Sequence, residues 1–423
     1  MPHLQDVALR GRGTRFRLFP QLPALEAFRE PETVWISRRP GTIAPGPEDD
    51  RMYVIDAIGK PSPYEYPYLP PYVGSAGPPA VPGVQGHFDH LDVTSPAFRA
   101  AHMYGTVRRV LDIWEGYLDR RIEWHFRGVF DRLELVPYVE WENAQAGFGF
   151  IETGYGRDER GERHLHCLNF DVLAHELGHI LVYSEVGTPA RGRETAEYFG
   201  FHESAGDLVA LVCALHFDKV VDHVLRRAAG NLYNLTELSR IGELSETKQI
   251  RVADNPLRMS DVADVSTPVE LLCQPERHQL AQPLTGAIFD ILVDIYQQNL
   301  VEAGLISAEL DRLSGRVTGV PVDDPTIDVL FAAAYEGRHD GFKAALVDAR
   351  DYVGTGLACA WRRLSPNHLR YIDVGNALVS VDRDLTGGKY RETILESFVW
   401  REIGSIPPGG RSMAFPSYRR HVW

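Results

Sequence analysis

The 423-residue chain sets 44 Lys and Arg against 58 Asp and Glu, a net charge of −14, with ordinary hydrophobic (44%) and charged (24%) fractions. That balance works against nucleic acid and anionic membrane surfaces as partners, and no run approaches the ~18 apolar residues of a membrane span. The length exceeds the size at which one core stops growing, so more than one lobe is expected. Acidity is compatible with bound cations, calcium included, but a merely soluble acidic surface is the preferred reading. The start, Met1-Pro2-His3-Leu4-Gln5-Asp6, lacks a basic stretch followed by an apolar one, so cytoplasmic residence is the default, with export by a non-standard route as the alternative. Cys167, Cys213, Cys273 and Cys359 have no CxxC spacing, which makes reduced thiols the expectation.

Residues 1–83 read as an N-terminal extension. Short apolar runs (Val34-Trp35-Ile36, Met52-Tyr53-Val54-Ile55) alternate there with Pro, Gly and charge. Residues 61–83 hold eight prolines interleaved with Tyr64, Tyr66, Tyr68 and Tyr72, a composition for an extended connector. From Ser95-Pro96 the pattern turns helical, with Ala101, Tyr104, Val107, Leu111, Trp114 and Leu118 on one stripe. Strands are expected around Leu133–Tyr138 and Phe148–Ile151, separated by Trp141–Gly147.

An apolar helix then begins near Phe170 and contains His175-Glu176-Leu177-Gly178-His179, an H-E-x-x-H pattern. At 3.6 residues per turn, the two histidines project from one face and can reach one metal ion, while Glu176 lies about 100° further round, beside the metal. A polar stretch, Gly187–Arg193, leads to a second apolar helix through Phe201–Val212. Helices follow at Pro283–Asn299, Ser307–Leu313, Thr326–Tyr335, Gly341–Arg350 and Lys389–Trp400. The expected class is α+β: an α/β lobe over 84–210 carrying the H-E-x-x-H helix, then a mainly helical lobe over 211–423, with a cleft between them.

Zinc held by two histidines wants a third protein ligand. Glu203 is the leading candidate, with Asp207 one turn on and sharing its face, placed to orient a ligand histidine. An isolated Glu203 would read as a first-turn carboxylate complementing a helix dipole. Downstream of H-E-x-x-H, two carboxylates inside an apolar helix need partners.

On these residues the chain resembles the thermolysin-like zinc metallopeptidases, a gluzincin family. His175 to His179 and His202-Glu203-Ser204-Ala205-Gly206-Asp207 are similar to its H-E-x-x-H and N-E-x-x-S-D elements. The resemblance implies zinc on His175, His179 and Glu203, with Glu176 as general base and Asp207 behind His175. Pro256–Asp261 is similar to the L-R-S-M-S-D stretch, which points to Arg258 as a substrate-carbonyl ligand. Glu276-Arg277-His278-Gln279 before an apolar helix points to His278 as the oxyanion stabiliser, and Asn143-Ala144 looks like the substrate-binding pair on an edge strand. His202 stands where the family has asparagine, and 23 residues separate His179 from Glu203, an insertion at about 185–197 placed beside the site. The family's catalytic tyrosine has only Tyr183 and Tyr198 as counterparts. Without the resemblance, His278 reads as a loop histidine, Arg258 as half of a surface ion pair, Asn143 as a turn residue, and His164 and His166 as structural.

The implied activity is hydrolysis of peptide bonds in a peptide or protein substrate by a zinc-dependent peptidase. One alternative is a zinc aminopeptidase or other zinc hydrolase on the same ligands. The other is a zincin-like binding module whose site is blocked by the proline stretch or the insertion.

Overall fold

The computed structural model describes residues 9–65, 69–234, 240–243, 249–262, 274–315 and 325–404. Tyr66, Tyr68, Cys273 and the first eight residues lie outside these. A first ribbon pairs β1 (Thr14–Leu18) with β2 (Glu32–Ile36) in antiparallel register. Phe16 of this ribbon stacks on Phe88 and on Tyr104 of the next helix.

That helix, α1 (Pro96–Leu118), begins as its sequence requires. Ser95 accepts a hydrogen bond from Phe98 N at 3.1 Å, with Pro96 in the first turn. It is buried along nearly its whole length, because Trp114 stacks face to face on Trp361 of a C-terminal helix at 4.5 Å.

The main sheet has the order β3-β4-β6-β5, from β3 (Met52–Val54), β4 (Leu133–Val136), β5 (Ala144–Gly147) and β6 (Phe150–Thr153). The first three strands run parallel, and β5 returns antiparallel along β6. Residues 141–147 are therefore not a plain separator: Ala144–Gly147 is itself a strand, closed onto β6 through Phe148-Gly149, where Gly149 has φ +89°. Its Ala-Gln-Ala-Gly composition has little strand propensity, and pairing with β6 overrides it. A small hairpin follows, β7 (Tyr155–Arg157) with β8 (Arg163–Leu165).

One sheet face, with Leu133, Leu135 and Ile151, joins the main core; the other carries Glu134 and Glu152. Alternation alone would expose those two glutamates. They are buried because Lys60, Tyr64 and Tyr72 lie across them. Tyr64 packs on Phe150 at 4.9 Å, and Ala57, Val136 and Val139 form a small second core with Ile55, Tyr72 and Trp141. Through Tyr64 and Tyr72 the tyrosine-proline stretch straps the outer face of the sheet.

The remaining elements are helices apart from one ribbon, β9 (Arg240–Glu243) with β10 (Gln249–Val252), which interrupts the helical half expected after residue 211. The helices are α2 (Phe170–Glu185), α3 (Ala196–Ala214), α4 (Asp218–Arg227), α5 (Gln274–Glu302), α6 (Ala308–Ser314), α7 (Pro325–Tyr335), α8 (His339–Trp361), α9 (Tyr371–Thr386) and α10 (Arg391–Trp400). The expected boundary at 210 falls inside α3. One buried cluster runs from Phe16 to Ile403, and β3 of the N-terminal segment is built into the sheet. Among the described residues no helix is long and apolar enough to cross a membrane.

Candidate metal centre

Helices α2 and α3 cross at unusually short range, and glycine on both sides permits it. A Cβ on Gly178 would lie 2.7 Å from Gly206 Cα, and one on Gly206 would lie 2.6 Å from His175 Nδ1. Any larger residue would separate the helices. Asn169 starts α2 by accepting from Val172 N at 3.3 Å, and Thr195 starts α3 by accepting from Tyr198 N at 3.0 Å. Because α3 begins at Ala196, Glu203 sits mid-helix. A first-turn dipole role is therefore ruled out for it.

The approach places His175, His179 and Glu203 with one ligand-type atom each, all within 4.8 Å of one another. Glu203 Oε2 lies 3.5 Å from His175 Nε2 and 3.9 Å from His179 Nε2. Zinc bound tetrahedrally at ~2.0–2.1 Å spaces its ligand atoms roughly 3.3 Å apart, close to the first distance and slightly inside the second. His278 Nδ1 is also near, 3.0 Å from the same oxygen, on a ring that is 32% exposed. Glu203 Oε2 is nevertheless buried with no hydrogen bond of good geometry. A buried carboxylate oxygen faced by three ring nitrogens fits a divalent cation better than it fits a closed protein network.

The rings are held from behind. His175 Nδ1 lies 2.9 Å from Asp207 Oδ1, and Asp207 is fully buried. His179 Nδ1 lies 2.7 Å from His202 Nδ1, the two rings stacked at 4.7 Å. His202 is buried, packs on Tyr183 at 4.3 Å, and burial pushes its pKa down to about 4, so the ring is neutral at ordinary pH. Burial pushes the Glu203 carboxyl up, but the facing nitrogens of His175, His179 and His278 outweigh it and hold the group well below the usual carboxylate range. Glu176, in the same turn as His175, is buried as well.

The other expected residues fall in different places. Asn143 and Ala144 bring β5 to the edge of the sheet, and β5 packs along α2; Asn143 O accepts from Gly154 N at 2.9 Å. Arg258 is not gathered into the group around Glu203. Its guanidinium lies over Trp400 at 4.5 Å and 3.9 Å from Glu402, at the start of a short turn over Met259–Asp261. Helix α5 begins at Gln274, nine residues before the expected Pro283, which carries His278 on a helix rather than a loop.

Tyr198 OH donates to Gly187 O at 2.9 Å, whereas Tyr183 packs on both His202 and His125. The insertion is docked on the segment leading into α9. Ala190 N donates to Asn367 Oδ1 at 2.8 Å, His368 N to Arg193 O at 2.8 Å, and Tyr371 N to Glu197 Oε2 at 2.6 Å.

A second trio, Asp158, Glu162 and His164, also brings ligand-type atoms within 4.8 Å, on the β7–β8 hairpin. There Asp158 Oδ1 accepts from Arg160 N at 2.9 Å and Glu162 N at 2.8 Å, so the carboxylate closes its own turn. Sequence reasoning missed His202 as the partner of His179, although its place beside Glu203 was visible. It also missed the two glycines, whose signal was their presence inside both motif helices.

No protein-family model matches the chain, and no curated protein matches it. Among solved structures the chain is similar to the precursor of protealysin, a metalloproteinase from Serratia proteamaculans. The identity is 16%, over 70% of this chain and 88% of that one, with a TM-score of 0.36.

Proposed function

We propose that the chain is a zinc-dependent peptidase whose metal ligands are His175, His179 and Glu203. The observation that carries this reading is the buried Glu203 oxygen facing two histidine Nε2 atoms while Asp207 and His202 hold the opposite nitrogens of the same rings. Bound there, zinc supplies Lewis-acid chemistry, making water more acidic and a carbonyl more electrophilic.

The protein's own groups do the rest. Asp207 accepts from His175 Nδ1–H and fixes that ring with Nε2 toward Glu203. His179 Nδ1–H donates to the neutral His202, which leaves the proton of His202 on its Nε2. Glu176 takes the proton from the attacking water and passes it to the leaving amine. His278, on the exposed side of Glu203, donates to the developing oxyanion.

A peptide is the favoured substrate because β5 is terminal in its sheet and runs beside α2. An extended chain added to that edge gains backbone hydrogen bonds next to Asn143 and Ala144. Arg258, engaged with Trp400 and Glu402, receives no role. Against a blocked module stands the anchoring of both stretches, Tyr72 N donating to Glu134 on the outer sheet face and Ala190 N to Asn367 before α9.

The test is zinc stoichiometry followed by cleavage of a mixed peptide library. One zinc per chain is expected, with hydrolysis that Glu176→Gln lowers by about 10²- to 10⁴-fold while zinc stays bound. Absence of zinc, or full activity in Glu176→Gln, overturns the reading.

A further inference from the structure

Arg277 immediately precedes His278 in α5, and its guanidinium lies over the ring of Phe199 at 4.4 Å. Phe199 is four residues before Glu203 in α3, so the two occupy one face of that helix, roughly 6 Å apart along its axis. His278 Nδ1 meets Glu203 Oε2 at 3.0 Å. The neighbouring side chains Arg277 and His278 therefore close on two successive turns of the helix face that carries Glu203.

Arg277 is half-buried, its Nε is buried with no hydrogen-bond partner, and no carboxylate among the described residues pairs with it. Several buried arginines of this acidic chain are paired, as Arg51 is with Glu115, Arg108 with Asp112 and Arg401 with Asp290. An arginine left without an acid beside a reaction site is suited to binding an acid that arrives from outside. Stacking on Phe199 holds the guanidinium plane and lowers the entropy lost on binding.

We infer that Arg277 reads a carboxylate on the substrate, making the enzyme selective for peptides that carry one next to the bond cleaved. This inference rests on the peptidase reading above. The carboxylate has two sources, the free C-terminus of the peptide or the side chain of an Asp or Glu residue. Matched twins separate them: a free-acid peptide against its amide, and a Glu peptide against its Gln counterpart, on one shared core.

With the wild-type protein, kcat/KM for one carboxylate-bearing twin should exceed that of its neutral partner by about 10- to 100-fold. Arg277→Ala should bring that ratio close to one, and Arg277→Lys should keep part of it, since a point charge replaces the planar fork. A ratio near one in the wild-type protein overturns the inference. So does an Arg277→Ala protein that loses both twins in parallel, which is what a purely structural role produces.

Calorimetric binding of the same twins to zinc-loaded Glu176→Gln protein keeps the two readings apart. If no peptide is cleaved but the carboxylate twin binds more tightly and Arg277→Ala removes the difference, the peptidase reading falls and Arg277 keeps its assignment. If peptides are cleaved and neither cleavage nor binding discriminates, the reverse holds.

Discussion

Two regions bury charge, and they do so differently. On the outer face of the sheet, Glu134 accepts from Tyr64 OH at 2.6 Å, Tyr53 OH at 2.7 Å and Tyr72 N at 2.9 Å. Glu152 accepts from Lys60 Nζ at 2.6 Å, Tyr64 N at 2.5 Å and Gln145 Nε2 at 2.7 Å. Each of these carboxylates has donors from several directions, so the network is closed and ties the strap to the sheet.

At the crossing of α2 and α3, by contrast, Glu203 Oε2 is surrounded by histidine nitrogens and makes no hydrogen bond of good geometry. A satisfied buried network holds a fold together, whereas an unsatisfied one whose members are held rigid from behind is prepared for something else to enter.

The largest effect that tests this contrast lies in the closed network. Glu152→Ala leaves the Lys60 ammonium buried without its partner and should cost about 3–5 kcal/mol in urea unfolding, with zinc affinity unchanged if the regions are independent. Next comes the metal itself. Zinc at a hundredfold excess over its Kd should raise the unfolding free energy by about 2.7 kcal/mol, and a chelator should reverse the gain. A stability indifferent to zinc would remove the distinction between the regions.

His202→Ala should weaken zinc binding by about 10- to 100-fold in competition with a chromophoric chelator, because His179 then loses the partner that orients it. His202→Asn, which restores a hydrogen-bonding group, should recover much of that loss. The smallest effect is Tyr53→Phe. Glu134 keeps Tyr64 OH and Tyr72 N, so the expected loss is about 1 kcal/mol, again with zinc binding intact.

Much of the candidate site was legible in the chain because its residues lie on two helices with local periodicity. The four-residue spacing of His175 and His179, and again of Glu203 and Asp207, sets the shared faces without reference to anything distant. The docked position of the insertion and the seating of Arg258 on Trp400 were not legible, since both depend on partners more than 100 residues away. The burial of Glu134 and Glu152 was not legible either: an alternating strand says which side chains share a face, not what will cover that face.

What the sequence determined by itself is therefore the repeat geometry of each element. It gives a helix that presents two histidines, a second that presents two carboxylates, and an extended proline-rich segment that cannot join either. The tertiary structure decided how close the two helices come, through Gly178 and Gly206, which histidine supports which, and that Tyr64 and Tyr72 of the strap cover the sheet. Local patterns follow from bond geometry within a few residues, while approach distances and coverings are set by shape between surfaces that the chain brings together only when it folds.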